Sequence, residues 1–318
     1  MGNGVENLLI AEGEQYDRAA RAESTLLLYE RNWRAFCSWS KGIQADVLPA
    51  SPEIVAHYAA WLARRLKPST VAIHLCAIRH FHTEAGFDPP TASTVVRKRV
   101  AGIRRSRPML PRRKAPMTIE RLDTALDCLD DRLFDRQRKA LLMLGFTGGF
   151  RRSELVGLDV RPGGRGTGYI EFTAEGLDIT LLKSKTDQEG NGRRVAIPYR
   201  RERSKCPVRL LRDWLLEASI VSGPIFRRLE RSVVTEDRLR PSAVNRAVKW
   251  AAKRCGLYPS DFGAHSLRAG FVTSASKHGA PIAAIQSTTG HVRVDTVLGY
   301  VREANRYSDS ALNFLPGW

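Results

Sequence analysis

Gly263-Ala264-His265-Ser266-Leu267-Arg268, then Gly290-His291, and then Tyr300 nine residues further on form the stretch on which the reading of this chain turns. Pro281 suits the opening of a short helix and Gly290 its end, so helix, turn, helix, glycine turn, helix is the expected order. His265 and Arg268 are three residues apart and share a face of a helical turn. An arginine fork grips phosphate through paired N–H groups, and an imidazole beside it exchanges a proton near neutral pH. Val292, Val294, Val297 and Leu298 give the last segment an apolar side and leave Tyr300 as a phenol placed to act as a nucleophile. Each residue alone has a plainer reading: His265 as a helix cap, Arg268 as a surface charge, Tyr300 as a half-buried core tyrosine. Their joint spacing is what favours chemistry. Tyr307, seven residues after Tyr300, is expected to pack.

The order His-x-x-Arg, Gly-His and a tyrosine nine residues later resembles the C-terminal signature of the tyrosine recombinases, the phage integrase family. Upstream, Thr147-Gly148-Gly149-Phe150-Arg151-Arg152-Ser153-Glu154-Leu155 resembles that family's first arginine motif, with one extra residue between the glycine pair and the arginine. Register against Ser153-Glu154 assigns the role to Arg151, turns Arg152 to solvent and gives Glu154 the task of holding the geometry. The family carries a lysine on a β-hairpin. In Lys183-Ser184-Lys185-Thr186 the resemblance assigns Lys185, with Lys183 as the rival.

The catalytic set implied by the resemblance is therefore Arg151, Glu154, Lys185, His265, Arg268, His291 and Tyr300. It implies a site-specific recombinase that cleaves and rejoins DNA through a 3'-phosphotyrosine and a Holliday junction. Phosphoryl transfer needs fixed positive donors, here Arg151 and Arg268, with hydrogen bonds from His265 and His291. His265 is expected to act as base toward the phenol and Lys185 as acid toward the departing 5'-oxygen. Neither ATP nor metal nor any other cofactor is expected. Two alternatives stay open: a type IB topoisomerase, which uses the same residue types, and a non-catalytic DNA-binding protein.

The 318 residues suffice for two domains, and a formal net charge of +18 points to a polyanionic partner. With 43% hydrophobic residues the chain is a folded protein and not a basic tail. Cys37, Cys76, Cys128, Cys206 and Cys255 are scattered with no C-x-x-C pair, which suggests reduced thiols in a cytoplasmic protein. No stretch approaches the length of apolar residues that a membrane span requires.

The expected architecture is mainly α with a small antiparallel β-sheet in the second domain. Residues 1–20 read as a mobile polar arm, 21–106 as a helical core DNA-binding domain of four helices, 107–117 as a basic, proline-rich linker, and 118–318 as the catalytic domain. The four helices are expected near 25–41, 51–66, 68–86 and from 91 onward. On the third, the resemblance to two-domain members of the family puts Lys67, Ser69, Thr70 and His74 on DNA. Arg97 and Lys98 lie on the basic face of the fourth. Arg112, Arg113 and Lys114 of the linker are expected along phosphates. His74, His80 and His82 lack the acidic or cysteine companions of a metal site.

In the second domain, residues 169–173, 177–183 and 194–198 read as three short strands. A helix opening at Pro241 carries Ser242 and Arg246, and the resemblance makes it the major-groove reader. The segment 308–315, with Leu312, Phe314 and Leu315, has apolar side chains too few to fold alone. It is expected to dock in a neighbouring subunit, as the family's tail does. The expected partners are duplex DNA with an inverted-repeat site and further copies of the chain, two per site and four in the synaptic complex.

Overall fold

The computed structural model describes residues 21–107, 114–182, 192–307 and 310–317. Lys183, Lys185, Arg112 and Arg113, together with the expected N-terminal arm, lie outside the described residues. The chain divides into two compact units, residues 1–111 and 112–318.

The first unit is a bundle of α1 (Glu23–Gly42), α2 (Pro52–Ala63), α3 (Pro68–Glu84) and α4 (Thr94–Ser106). Ser51 Oγ accepts the Ile54 N–H at 3.3 Å with Pro52 in the first turn, and Ser93 Oγ accepts that of Val96 at the same distance. α4 begins at Thr94, later than expected, because a 3-10 turn over Pro90–Ala92 precedes it. Phe36, Tyr58, Val71, Ile78, Val96 and Ile103 form the buried core.

His74 corrects the sequence reading. It is 8% exposed and its Nδ1 lies 3.1 Å from the Tyr58 hydroxyl, so it belongs to the bundle interior and not to the exposed side of the helix. The reason is periodicity: residue 74 stands three after Val71 and four before Ile78, on the same stripe. Lys67 and Ser69 are exposed and Thr70 is half-buried; Arg97 and Lys98 are exposed.

The second unit contains α5 (Ile119–Asp127), α6 (Leu133–Thr147), α7 (Arg152–Val156), α8 (Pro207–Glu217), α9 (Pro241–Arg254), α10 (His265–Lys277), α11 (Ile282–Thr289) and α12 (Val294–Ala304). α6 runs through the core, with Ala140 to Leu144 buried in sequence. A four-stranded sheet has the order β1 (Leu158–Asp159), β2 (Gly168–Phe172), β3 (Gly176–Leu181), β4 (Arg193–Pro198). β2–β3 and β3–β4 are antiparallel, with Ile170 opposite Ile179 and Ile179 opposite Val195.

β1 pairs parallel to β2 and was not expected, because two residues carry no alternation to read. A separate hairpin of β5 (Arg227–Glu230) and β6 (Val233–Arg238) was also missed. Its turn residues Arg231 and Ser232 adopt φ of 47° and 70° without the glycine or asparagine that ordinarily marks such a turn.

The expected linker also ends earlier than its sequence implies. Ala115 N–H donates to the Asp261 carbonyl and Met117 N–H to that of Ser266, both at 2.9 Å, and Met117 is fully buried. Lys114 Nζ donates to the Ser260 carbonyl at 2.5 Å, so the second unit holds this lysine. Pro116, which bars regular structure here, does not bar burial of Met117 beside it.

Candidate active site

Four local segments of the second unit build the site. The first is the corner between α6 and α7. Gly149, at φ +55°, reverses the chain after Thr147, and Arg151 caps α7. Glu154 Oε2 accepts the Arg151 backbone N–H at 2.9 Å, while its Oε1 accepts Arg151 Nη1 at 2.6 Å. One carboxylate thus fixes both the start of the helix and the arginine's side chain. Glu154 is 2% exposed; Arg152, by contrast, faces solvent.

The second segment is the first turn of α10, which places His265 at its start and Arg268 one turn on. Arg268 is 1% exposed, and its guanidinium is nearly committed. Nε donates to His291 Nε2 at 3.3 Å, and Nη1 donates to the carbonyls of Gly149 at 2.6 Å and Thr289 at 2.5 Å. Nη2 is buried and has no hydrogen-bond partner among the described residues. Burial chiefly, then the Arg151 charge, lowers the Arg268 pKa to about 10, which leaves it cationic at neutral pH.

The third segment is the turn after α11. Gly290 takes the left-handed conformation, φ 63°, and ends the helix as the sequence implies. Thr289 Oγ1 donates to the Ile285 carbonyl at 2.7 Å and stands 2.7 Å from His291 Nδ1. With that hydroxyl proton spent on Ile285, His291 carries its own proton on Nδ1 and accepts from Arg268 at Nε2. His291 therefore orients Arg268, a task that spacing did not show. Burial first, then the Arg268 and Arg151 charges, push the His291 pKa down to about 3, so the ring is neutral at physiological pH.

The fourth segment is α12. Val297 is buried against Val272 and Ile285, and Tyr300 follows one turn later on the same side, packed against that cluster. The Tyr300 hydroxyl lies 2.6 Å from His265 Nε2. His265 is exposed, yet partial desolvation of its ring first, then the Arg268 and Arg151 charges, lower its pKa below the ordinary imidazole value. A neutral His265 has a lone pair for the phenolic proton. Tyr307, expected to pack, is instead 79% exposed.

A cleft of about 510 Å³ opens beside these groups, lined by Arg151, Leu181, Arg193, Gln286, Gly290 and His291. Arg193 is the residue that sequence reasoning missed: it sits at the start of β4, and no local motif marks it. Among the described residues no three His, Cys, Asp or Glu side chains are grouped as a metal site would need. Ser242 and Arg246 are exposed on the first turns of α9, and no described helix is long and apolar enough to cross a membrane.

The phage integrase family model matches residues 117–306. An integrase/recombinase xerD homolog from Selenomonas ruminantium is 36% identical over 92% of this chain and 86% of its own length. Recombinase cre of Escherichia phage P1 is 22% identical over 94% of this chain and 90% of its own. Among solved structures, the Tn1549 transposon integrase in complex with transposon right end DNA superposes with a TM-score of 0.58 at 17% identity, covering 95% of this chain and 94% of that one. A lambda integrase dimer bound to a core site gives a TM-score of 0.55 at 15% identity, covering 93% and 78%. The motif residues, the fold around them and the span of these matches agree: the chain belongs to the phage integrase family, the tyrosine recombinases.

Proposed function

We propose that the chain is a site-specific DNA recombinase that passes a DNA phosphodiester to the Tyr300 phenol and back. The observation that carries this reading is the 2.6 Å contact between Tyr300 and His265, one turn from the buried, cationic Arg268. Tyr300 Oη attacks phosphorus and its proton passes to His265 Nε2. The bond to the 5'-oxygen breaks, leaving a 3'-phosphotyrosine and a 5'-hydroxyl, whose proton is assigned to Lys185. Arg151 and the unfilled Nη2 of Arg268 neutralise the nonbridging oxygens as charge builds on them. The phosphotyrosine ester retains the energy of the broken bond, so rejoining by the reverse steps requires no nucleotide hydrolysis.

Duplex DNA as substrate agrees with the net charge of +18 and with relatives that are named recombinases or were solved on DNA. Two copies bind one inverted-repeat site, and four exchange strands through a Holliday junction. The five free thiols suit the cytoplasm, where that DNA resides.

The test is covalent trapping on a library of nicked duplexes carrying randomised inverted repeats. Nicking lets the short 5' fragment diffuse away and strands the phosphotyrosine. DNA recovered on the wild-type protein but not on Tyr300→Phe establishes catalysis, and its sequence defines the site. Exchange of strands between two such duplexes then separates a recombinase from a topoisomerase, which relaxes one duplex without exchanging it.

A further inference from the structure

Arg193 opens β4 opposite Leu181, at the last rung of the β3–β4 ladder. Its guanidinium turns inward. Nη1 donates to the Thr288 carbonyl at 2.5 Å, and Nη2 stands 3.5 Å from Glu154 Oε2. The side chain also lies across the Cα of Gly290, where an added Cβ would come within 2.8 Å of Nη1 and 2.9 Å of Cδ. Only glycine at 290 both takes the left-handed turn and leaves room for the arginine to pass. Two segments of the site are joined in this way: the Arg151–Glu154 corner and the Thr288–His291 turn. Arg268 makes a second, separate tie between the same two regions, from the Gly149 carbonyl to that of Thr289.

We infer that Arg193 is a positioning residue for strand transfer, a staple that holds Glu154, and through it Arg151, in fixed relation to the turn bearing His291. The inference rests on the recombinase reading and adds a residue to it. Charge supports it independently. Arg151, Arg193 and Arg268 act on one another and on Glu154 at this corner, and Glu154 pairs with both Arg151 and Arg193. Among the described residues, Arg193 Nη2 is buried without a hydrogen bond, facing Glu154 as an ion pair. A side chain present only to pack the end of a strand has no use for that charge; a leucine would fill the space.

The test uses a duplex that the wild-type protein joins covalently through Tyr300, with rates measured at saturating protein. R193A lowers the joining rate by about 10²-fold, the scale on which a displaced catalytic group acts. DNA affinity stays within about threefold, because the loss lies in the chemical step. R193K keeps the charge but not the planar fork that reaches two acceptors, and recovers only part of the rate. Since Arg193 acts through Glu154, the E154A/R193A protein joins DNA no slower than E154A alone, within about twofold. If R193A does not fold, R193K and R193Q carry the same cycle. Wild-type rate in the Arg193 variants, effects that multiply with E154A, or affinity falling as steeply as rate would each overturn the inference. A wild-type protein that joins no DNA from the library removes the recombinase reading, and this inference with it.

Discussion

His265 Nε2 lies 2.6 Å from the Tyr300 hydroxyl, although the two residues are separated by 35 positions and sit on different helices. The distance has a direct kinetic consequence. Partial desolvation and the Arg268 and Arg151 charges hold the imidazole below its ordinary pKa, so the neutral, proton-accepting form persists to lower pH than for a free histidine. The acidic limb of covalent-complex formation is therefore expected below about pH 6.5. His265→Ala removes that limb and slows joining by about 10²–10⁴-fold, the usual contribution of a positioned base. Single-turnover rates across pH measure both; an acidic limb at or above the free-histidine value would reverse the assignment of His265 as base.

His291 makes folding itself sensitive to acid. Its folded-state pKa, about 3, lies below that of the unfolded chain, so the unfolded state binds more protons between the two values. The stability contributed by the neutral ring is fully present above about pH 6.5 and declines as pH falls toward the folded value. His291→Asn cannot titrate there. The melting-temperature gap between wild type and His291→Asn should narrow from pH 7 to pH 4, as calorimetry at fixed ionic strength would record.

Glu154 is the keystone of the charge arrangement, at 2% exposure and bound to Arg151 and Arg193. Glu154→Ala unpairs a buried cluster of cations and strips the Arg151 backbone N–H of its acceptor. A loss of about 3 kcal/mol is expected, since breaking a buried pair leaves uncompensated charge. For a unit of this size that is a fall in Tm of about 6–12 °C. DNA lowers the deficit, because phosphate replaces part of the missing negative charge, so a thermal melt with and without bound duplex should show a smaller gap in the complex.

Much of this site is legible in the linear sequence because its parts are local. His265 and Arg268 need only one helical turn, Gly290-His291 only a left-handed cap, and Arg151 with Glu154 only a capping box. Arg193 was not legible. Its role depends on which strand end reaches the Thr288 carbonyl, a relationship between segments 95 positions apart that no spacing rule encodes. His291 was found, but its partner was not: the hydrogen bond from Arg268 emerges only when the turn and α10 are packed together. Spacing from Gly290-His291 favours Tyr300 and leaves Tyr307 to pack, yet no apolar partner in the described chain covers it. β1 and the β5–β6 hairpin escaped for want of length and of turn glycines.

The helical unit offers a test of inside against outside. His74 is buried on Tyr58, so His74→Ala leaves a buried hydroxyl unpaired at a cost of about 1–3 kcal/mol and changes DNA affinity little. Lys67 is exposed at the start of the same helix. Lys67→Ala should leave stability unchanged and reduce the slope of log affinity against log salt by about 0.9, the release expected for one phosphate contact. Urea melts paired with binding titrations at several salt concentrations distinguish the two; a His74 variant that lost affinity at full stability would return that residue to the DNA surface.

The tail carries the last expectation. Ala311–Phe314 forms a 3-10 turn on which Leu312 is 45% and Phe314 85% exposed, with Leu315 at 51% beside them. Apolar side chains left open on a single short turn gain nothing from the chain that bears them, and burial against another copy would return about 1.5–3 kcal/mol for each large one. We expect Leu312→Ser with Phe314→Ser to leave monomer melting unchanged, because neither side chain is in the core. Binding to a duplex with one half-site should also be unaffected. Cooperativity on a duplex with two half-sites should fall, since the second copy is held partly by the first. A band-shift titration comparing the two duplexes reads the ratio directly, and equal cooperativity in the wild type and the double variant would mean that subunits meet elsewhere.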